Sequence, residues 1–404
     1  MNPPPGVRWK KISVAKGLNP DRPIIRPAVK IAARAYRSSG AFPIIDQGQH
    51  SIAGWTDELA AVLKPSRPVV VFGDHTRIFK YIAFPFAAGA DGTLILNPSE
   101  DFDPLFFFFA CLELEIPGRG YNRHYSVLKE LRLPKPSLEE QKAVASVLRK
   151  AQEAIEVESA LINVSRELKQ AALNELFTKR LRGEVLKEEE SGQVPESWQE
   201  VRIDELGKVV TGTTPKTANR SYYDEGTFDF IAPGDISENG VEIRSAVKKL
   251  TSSGMDQCRV LPKGASCFVC IGSSIGKVGI TTQDLSSTNQ QINSVIPNEA
   301  FNPYFVFYTL LWNAEWIAAR ANPSPVPIMS KSLFAEVPIW ITWDETEQKE
   351  IASVLQTIDA KLAYHESRHK LLRELFQSLL HDLMTGKRWV NDLTKINSEE
   401  NAAA

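Results

Sequence analysis

Apolar residues fall at Ile351, Leu355, Ile358 and Leu362, and again at Leu372, Phe376, Leu379 and Leu383. The steps alternate between four and three, the spacing that keeps one stripe on the same side of a helix over several heptads. Val144, Leu148, Ala151, Ile155 and Ile162 follow the same spacing earlier in the chain. Each stretch is introduced by an extended, proline-rich step, Leu133-Pro134-Lys135-Pro136 and Val337-Pro338-Ile339. Proline disfavours helix in the residue before it, so both helices start sharply. The pattern predicts two helices of about forty residues, each spanning about 60 Å and carrying the seam of a coiled coil; an antiparallel pairing of the two is the fold expected here.

The remaining pattern has a shorter period. Runs rich in β-branched and aromatic residues, bounded by Gly, Pro, Asp and Ser, predict strands at residues 42–45, 69–72, 93–96, 228–231, 267–271 and 291–296. Asp103-Pro104-Leu105-Phe106 and Asn302-Pro303-Tyr304-Phe305 combine an Asx cap with proline in the first turn, and predict two apolar helices.

The long helix is written twice. Residues 140–178 and 347–385, offset by 207, share 14 identities in 39 positions, among them Glu140-Gln141-Lys142 with Glu347-Gln348-Lys349 and Arg166-Glu167-Leu168 with Arg373-Glu374-Leu375. Average residue usage gives roughly 2 or 3 such matches by chance. Two copies at this offset indicate a duplicated module, since a solenoid needs three or more short repeats. The expected fold is α+β with pseudo-two-fold symmetry. Residues 1–134 form a first globular domain, 135–183 a central long helix and 184–195 a linker containing the acidic run Glu188-Glu189-Glu190. Residues 196–338 form a second globular domain, 339–388 a C-terminal long helix and 389–404 a tail. Trp9 and Trp198 mark the openings of the two domains.

Composition narrows the class. The 43% apolar and 24% charged content of a 404-residue chain is that of a globular protein with two to three domains. The longest apolar run, residues 104–112, is far short of the roughly 20 residues of a membrane helix. Met1-Asn2-Pro3-Pro4 lacks the basic and apolar stretches of a signal peptide, so a cytoplasmic location is expected. Four cysteines give no disulfide framework. The net charge of −2 conceals an asymmetry: residues 1–134 carry an excess of about five cations, and the remainder an excess of about seven anions.

Catalytic patterns are near misses. His365-Glu366-Ser367-Arg368-His369 matches the zinc-protease pattern, but its histidines occupy the two missing positions of the apolar stripe and lack a third ligand. Gly272-Ser273-Ser274-Ile275-Gly276-Lys277 is one residue short of a phosphate loop, with Val278 where the metal-binding hydroxyl belongs. Asn2-Pro3-Pro4 lacks the aromatic residue of an amino-methyltransferase loop, because Pro5 follows. Cys258, Cys267 and Cys270 lack a fourth metal ligand, and small buried thiols in a strand are the simpler account. No catalytic residue, metal site or cofactor is therefore assigned to this chain.

DNA contact has better candidates. Arg26, Lys30, Arg34 and Arg37 recur at helical steps, which predicts four cations along one helix face. His75 and Arg77 follow a predicted strand, and Arg119, Tyr121 and Arg123 lie in a glycine-containing loop. The second domain offers Ser273, Ser274 and Lys277, then Asn289 and Gln290. Arg, Asn and Gln can address base edges, while cations and hydroxyls can address phosphates.

The order globular domain, long helix, globular domain, long helix resembles the specificity subunits of Type I restriction-modification systems. The resemblance is carried by Pro134-Lys135-Pro136 with Glu139-Glu140-Gln141-Lys142, by Glu345-Thr346-Glu347-Gln348-Lys349, by Trp9 and Trp198, and by phrases such as Phe42-Pro43-Ile44-Ile45 and Arg123-His124-Tyr125. It implies two target-recognition domains that each read one half of a bipartite, asymmetric site in double-stranded DNA, with the helices setting the spacer. It further implies two methyltransferase subunits and two restriction/translocase subunits as partners, which supply S-adenosylmethionine, ATP and Mg²⁺ chemistry. The alternative is a coiled-coil scaffold whose two domains bind protein and have no DNA role; a DNA affinity that falls with salt separates the two. Deleting one heptad from each long helix is expected to change the spacer and leave both half-targets intact. Methylation mapping checks this, and an altered half-target refutes it.

Overall fold

The computed structural model describes residues 9–89, 91–118, 120, 123–179, 185–189, 192–238, 242–322 and 325–390. Two compact units divide the chain: residues 1–159 with 368–404, and residues 160–367. The long helices span Leu138–Thr178 and Glu345–Thr385, so their first and last residues are offset by the same 207 positions as the sequence repeat.

Unit 1 begins with the strand Lys10–Ser13, which pairs antiparallel with Arg132–Lys135. The chain thus enters and leaves the domain side by side. Between them lie two four-stranded sheets. One is antiparallel, in the order Ile24–Ile25, Thr93–Leu96, Val69–Gly73, Phe79–Ile82. The other has the order Gly54–Thr56, Phe42–Ile45, Phe86–Ala88, Val62–Leu63, and its central pair is parallel. Val69–Gly73 is buried at every residue, as its unbroken apolar run requires. The helix Pro104–Leu112 is capped by Asp103, whose side chain accepts from the amides of Leu105 and Phe106. Its four phenylalanines, Phe106 to Phe109, are all buried, and each contributes roughly 1.5–3 kcal/mol by leaving water. They share a core with Leu128, Leu133, Val144, Leu148, Leu380 and Leu383, which draws both helical stretches of the unit onto the domain.

Unit 2 repeats the plan. Gln199–Arg202 pairs antiparallel with Pro338–Ile341. A five-stranded sheet runs in the order Gly207–Thr211, Ile292–Pro297, Ser266–Val269, Val278–Thr281, Glu242–Ile243. Its companion is Lys248–Leu250, Phe228–Ile231, Ser286–Thr288, again with one parallel pair. Pro303–Trp312 is the equivalent capped helix, with Asn302 accepting from Tyr304 and Phe305. Trp198 is buried edge-on against Phe177 at 5.6 Å. Phe177 shares the core with Phe305, Leu173, Ile351 and Leu355.

In each unit taken alone the helical stretches run antiparallel. In unit 1 Glu158 is buried and lies 3.1 Å from Arg368, while Val144 and Leu148 pack near Leu380 and Leu383. In unit 2 Arg166 meets Glu366 at 2.7 Å and Lys169 meets Asp359 at 2.8 Å. Every apolar seam residue of the second helix is buried or half-buried, as the 4,3 spacing requires. The expected linker takes a different form. Leu186–Glu189 pairs antiparallel with Gly192–Pro195 as a hairpin, because alternation around the acidic run lets Val194 reach the core while Lys187 donates to the carbonyl of Trp198 at 2.9 Å.

One repeated side chain joins helix to domain in both units. Gln141 is fully buried; its amide donates to the carbonyls of Asp101 and Pro136, at 3.0 and 3.1 Å, and accepts from the amide of Asp103 at 2.8 Å. Gln348 does the same with Ala300, Thr342 and Asn302, at 3.4, 3.0 and 2.9 Å. The acceptor bond ends on the residue that caps the aromatic helix. Replacing Gln141 or Gln348 by Ala strands three buried backbone groups, each costing about 1–3 kcal/mol. Either variant is expected to lose at least about 2 kcal/mol in urea unfolding, whereas Glu139→Ala on the exposed face should change little. Equal stability of all three proteins would overturn the latch.

Candidate nucleic-acid interface

In unit 1 the loops after the strands Phe42–Ile45, Val69–Gly73 and Phe86–Ala88 bond to one another. Gln47 stands at the centre. Its side chain donates to the carbonyl of Asp91 at 3.0 Å and accepts from the amide of His75 at 3.2 Å, while its own carbonyl accepts from the Thr76 hydroxyl at 2.6 Å. Asp74 is buried and organises the neighbouring segment. One carboxylate oxygen accepts from the amides of His124 and Tyr125, at 2.9 and 2.7 Å, and the other lies 4.0 Å from Arg123.

These loops aim the polar side chains outward. Arg77 is exposed and adopts φ = 64°, an uncommon conformation for a residue with a side chain. Its amide bonds Gly73 at 2.7 Å and its guanidinium bonds the carbonyl of Ile116 at 2.9 Å, which hold the turn. In the following strand Lys80 is buried, donates to the carbonyl of His50 at 2.6 Å and lies 3.6 Å from Asp46. Burial lowers the Lys80 pKa from its ordinary value by more than Asp46 raises it. Arg123 is exposed and His75 half-buried. His75, Arg77 and Arg123, candidates from two separate segments, thus meet at one loop cluster; Arg119 and Tyr121 lie outside the described residues.

The four cations predicted on one helix face are not on a helix. Ile24–Ile25 is a strand, and helical structure between residues 26 and 37 is limited to one 3₁₀ turn, Ala33–Ala35. Sheet bonding prevails: the amide of Ile31 donates to Ala88, and Arg37 exchanges backbone bonds with Trp55. Charge spacing without an accompanying apolar stripe gave the helix nothing to bury. Lys30 reaches the carbonyl of Thr93 at 3.3 Å, beside the loop cluster, and Arg37 pairs with Asp57 at 2.9 Å. Arg26 and Arg34 are exposed.

Unit 2 gathers the equivalent loops. Ser273 and Ser274 form a turn flanked by Gly272 and Gly276, both near φ = +94°, where residues with side chains are rare. Lys277 closes that turn and lies 3.5 Å from Glu238. Asn289 bonds Gln291 through both its side-chain groups, at 3.0 Å each, and exposed Gln290 accepts from the Thr214 hydroxyl. The amide of Cys270 donates to the carbonyl of Gln291 at 2.8 Å, so the two predicted segments share one sheet end. Gly212 passes so close that a Cβ there would meet the carbonyl of Asn289 at 2.0 Å. Gln47, Thr214 and Arg259, which donates to the carbonyl of Thr211 at 2.6 Å, escaped the sequence reading. The available signal was position: Gln47 and Thr214 lie within three residues of a strand's end.

The thiols belong to the core. Burial pushes Cys267 and Cys270 up to about 12, so they stay protonated at neutral pH. Among the described residues no group of three or more His, Cys, Asp or Glu could hold a metal ion. Nor, among the described residues, is any helix long and apolar enough to cross a membrane.

Residues 195–374 match the family described as Type I restriction modification DNA specificity domain. The specificity subunit of the Type I restriction enzyme MjaIX from Methanocaldococcus jannaschii is 26% identical over 231 residues, 56% of this chain and 51% of that one. The HindI specificity subunit of Haemophilus influenzae is 27% identical over 203 residues, 48% of this chain and 42% of that one. The chain therefore spans about half the length of these two relatives. The EcoR124I/EcoR124II specificity subunit of Escherichia coli is matched more fully, 22% identical over 81% of this chain and 82% of that one. In fold, the crystal structure of the Type I restriction-modification S subunit from M. genitalium superposes with a TM-score of 0.67 at 16% identity, covering 95% of this chain and 97% of that one. A structure from a study of Type I complex assembly and conformational transition gives 0.53 at 15% identity, covering 95% and 99%.

Asp74→Ala is expected to release the segment after residue 122 and weaken binding to duplex DNA by about tenfold, the equivalent of 1.4 kcal/mol. Fluorescence anisotropy at fixed salt measures this; undiminished affinity would remove the loop cluster from the interface.

Proposed function

We propose that this chain is a Type I restriction-modification specificity subunit and reads DNA sequence for a complex whose chemistry is carried out by other subunits. One observation carries the reading: both units present polar side chains on loops at the same ends of equivalently ordered sheets, on a module written twice. Each loop cluster reads one half of a bipartite, asymmetric target in the major groove, with Arg77, Arg123, Asn289 and Gln290 as the side chains suited to base edges. Lys30, Ser273, Ser274 and Lys277 suit phosphates.

The long helices set the spacer between the two half-targets. Sites read from one face of DNA lie about one helical turn apart, 34–36 Å, and a helix of 41 residues spans about 60 Å. Two methyltransferase subunits and two restriction/translocase subunits are the proposed partners. S-adenosylmethionine, ATP and Mg²⁺ belong to those subunits, and the assembly works in the cytoplasm, where the DNA lies.

Methylome sequencing of a host that carries the chain with its methyltransferase tests the reading. A bipartite motif with adenine methylation is expected. Exchanging residues 1–134 for another recognition domain is expected to alter one half of the motif only. Absence of any motif, or a change in both halves, refutes the proposal.

A further inference from the structure

The sheets of unit 1 flank a half-open cavity of about 290 Å³ at the end away from the proposed recognition loops. Val69 lies on it, whereas Gly73, at the other end of the same strand, leads into the Asp74 turn. Val69, Phe86 and Ile95, all buried core residues, form an apolar floor together with Ile25 and Leu63. Arg22, Lys64 and Arg67 line the cavity, and among the described residues no carboxylate does.

What sets these three cations apart is that they converge on one cavity. Among the described residues none of them is in an ion pair, although unit 1 pairs Arg37, Lys80, Arg123 and Lys135 with carboxylates. Arg67 is fixed by one guanidinium bond to the carbonyl of Phe102 at 3.0 Å, and a guanidinium has five donors. The turn carrying Arg22 is held by Asn19, which accepts from the amides of Asp21 and Arg22, and by Asn97, which donates to the Arg22 carbonyl. Ser66 and Asn97 add neutral polar groups to the wall.

We propose that this cavity binds a small organic phosphate. The three cations take a multiply charged anionic group, because phosphate presents several acceptors to guanidinium and ammonium donors. The apolar floor takes a flat or apolar body, which a free inorganic anion would leave unused. The volume is at the lower edge of ligand pockets and limits the guest to about the size of a mononucleotide. This site is independent of the DNA-reading proposal.

Calorimetric titration of the full chain with AMP, inorganic phosphate and adenosine tests the site. AMP is expected to bind at least tenfold more tightly than either fragment, and R22A/K64A, which changes two exposed residues, should lose that binding while keeping the melting temperature of the parent. Tight AMP binding that survives in R22A/K64A, or no AMP binding up to millimolar concentration, overturns the proposal. Inorganic phosphate binding as tightly as AMP also overturns it, since the floor then has no role. A fourth outcome, loss of duplex DNA affinity in R22A/K64A with no AMP binding to the parent, reassigns the cations to the DNA backbone and overturns it equally.

Discussion

A buried glutamine amide governs how each globular domain is joined to its helix. Its polar groups have no access to water, so each must find a protein partner, and a primary amide offers donors and an acceptor in one plane. Gln141 and Gln348 satisfy that requirement with the chain just before the helix and with the residue capping the aromatic helix. Both partners are backbone groups. The surrounding side chains are therefore free to differ, and they do: Ser137 caps the first long helix where Asp344 caps the second. Hydrophobic burial supplies the attraction between helix and domain, but it is not directional. The amide supplies the direction.

Within each unit, polar residues in the helical seam add a second constraint. Glu158 and Lys169 occupy seam positions of the first helix and are buried; their partners are Arg368 and Asp359. Asp359 also accepts from the Tyr308 hydroxyl at 2.7 Å, tying the seam of unit 2 to the aromatic helix. Burial first, and then the adjacent carboxylate, raise the Tyr308 pKa well above its ordinary value, so the hydroxyl remains a donor. A shift of one helical turn would leave these charges buried and unpaired, at a cost of several kcal/mol per ion.

Much of this fold is legible in the amino-acid sequence. Strands 42–45, 93–96 and 228–231 and the two Asx-proline helix starts appear where the pattern placed them, because short apolar runs with sharp chemical boundaries leave the backbone few options. The stripe through Ile351 and Leu383 was equally plain. The 26–37 segment failed because its regularity lay in charges, which select no backbone conformation when fully solvated. The pairing of loops around Gln47 was invisible for another reason: it joins residues 28 to 44 positions apart, and no local period records such a bond. The loop clusters themselves are legible where a strand ends in Gly73 or a glycine turn encloses serines, and not where the supporting group is a lone polar residue such as Gln47.

The antiparallel pairs at the base of each domain, Lys10–Ser13 with Arg132–Lys135 and Gln199–Arg202 with Pro338–Ile341, form a narrow neck through which the whole domain is threaded. Everything between the two strands can lengthen, shorten or be replaced wholesale, provided the neck still closes. The entry to the long helix then keeps its place regardless of what the domain has become. A domain exchanged at the neck would carry its loops with it as an intact cassette, while the helices stay under an unchanged set of demands.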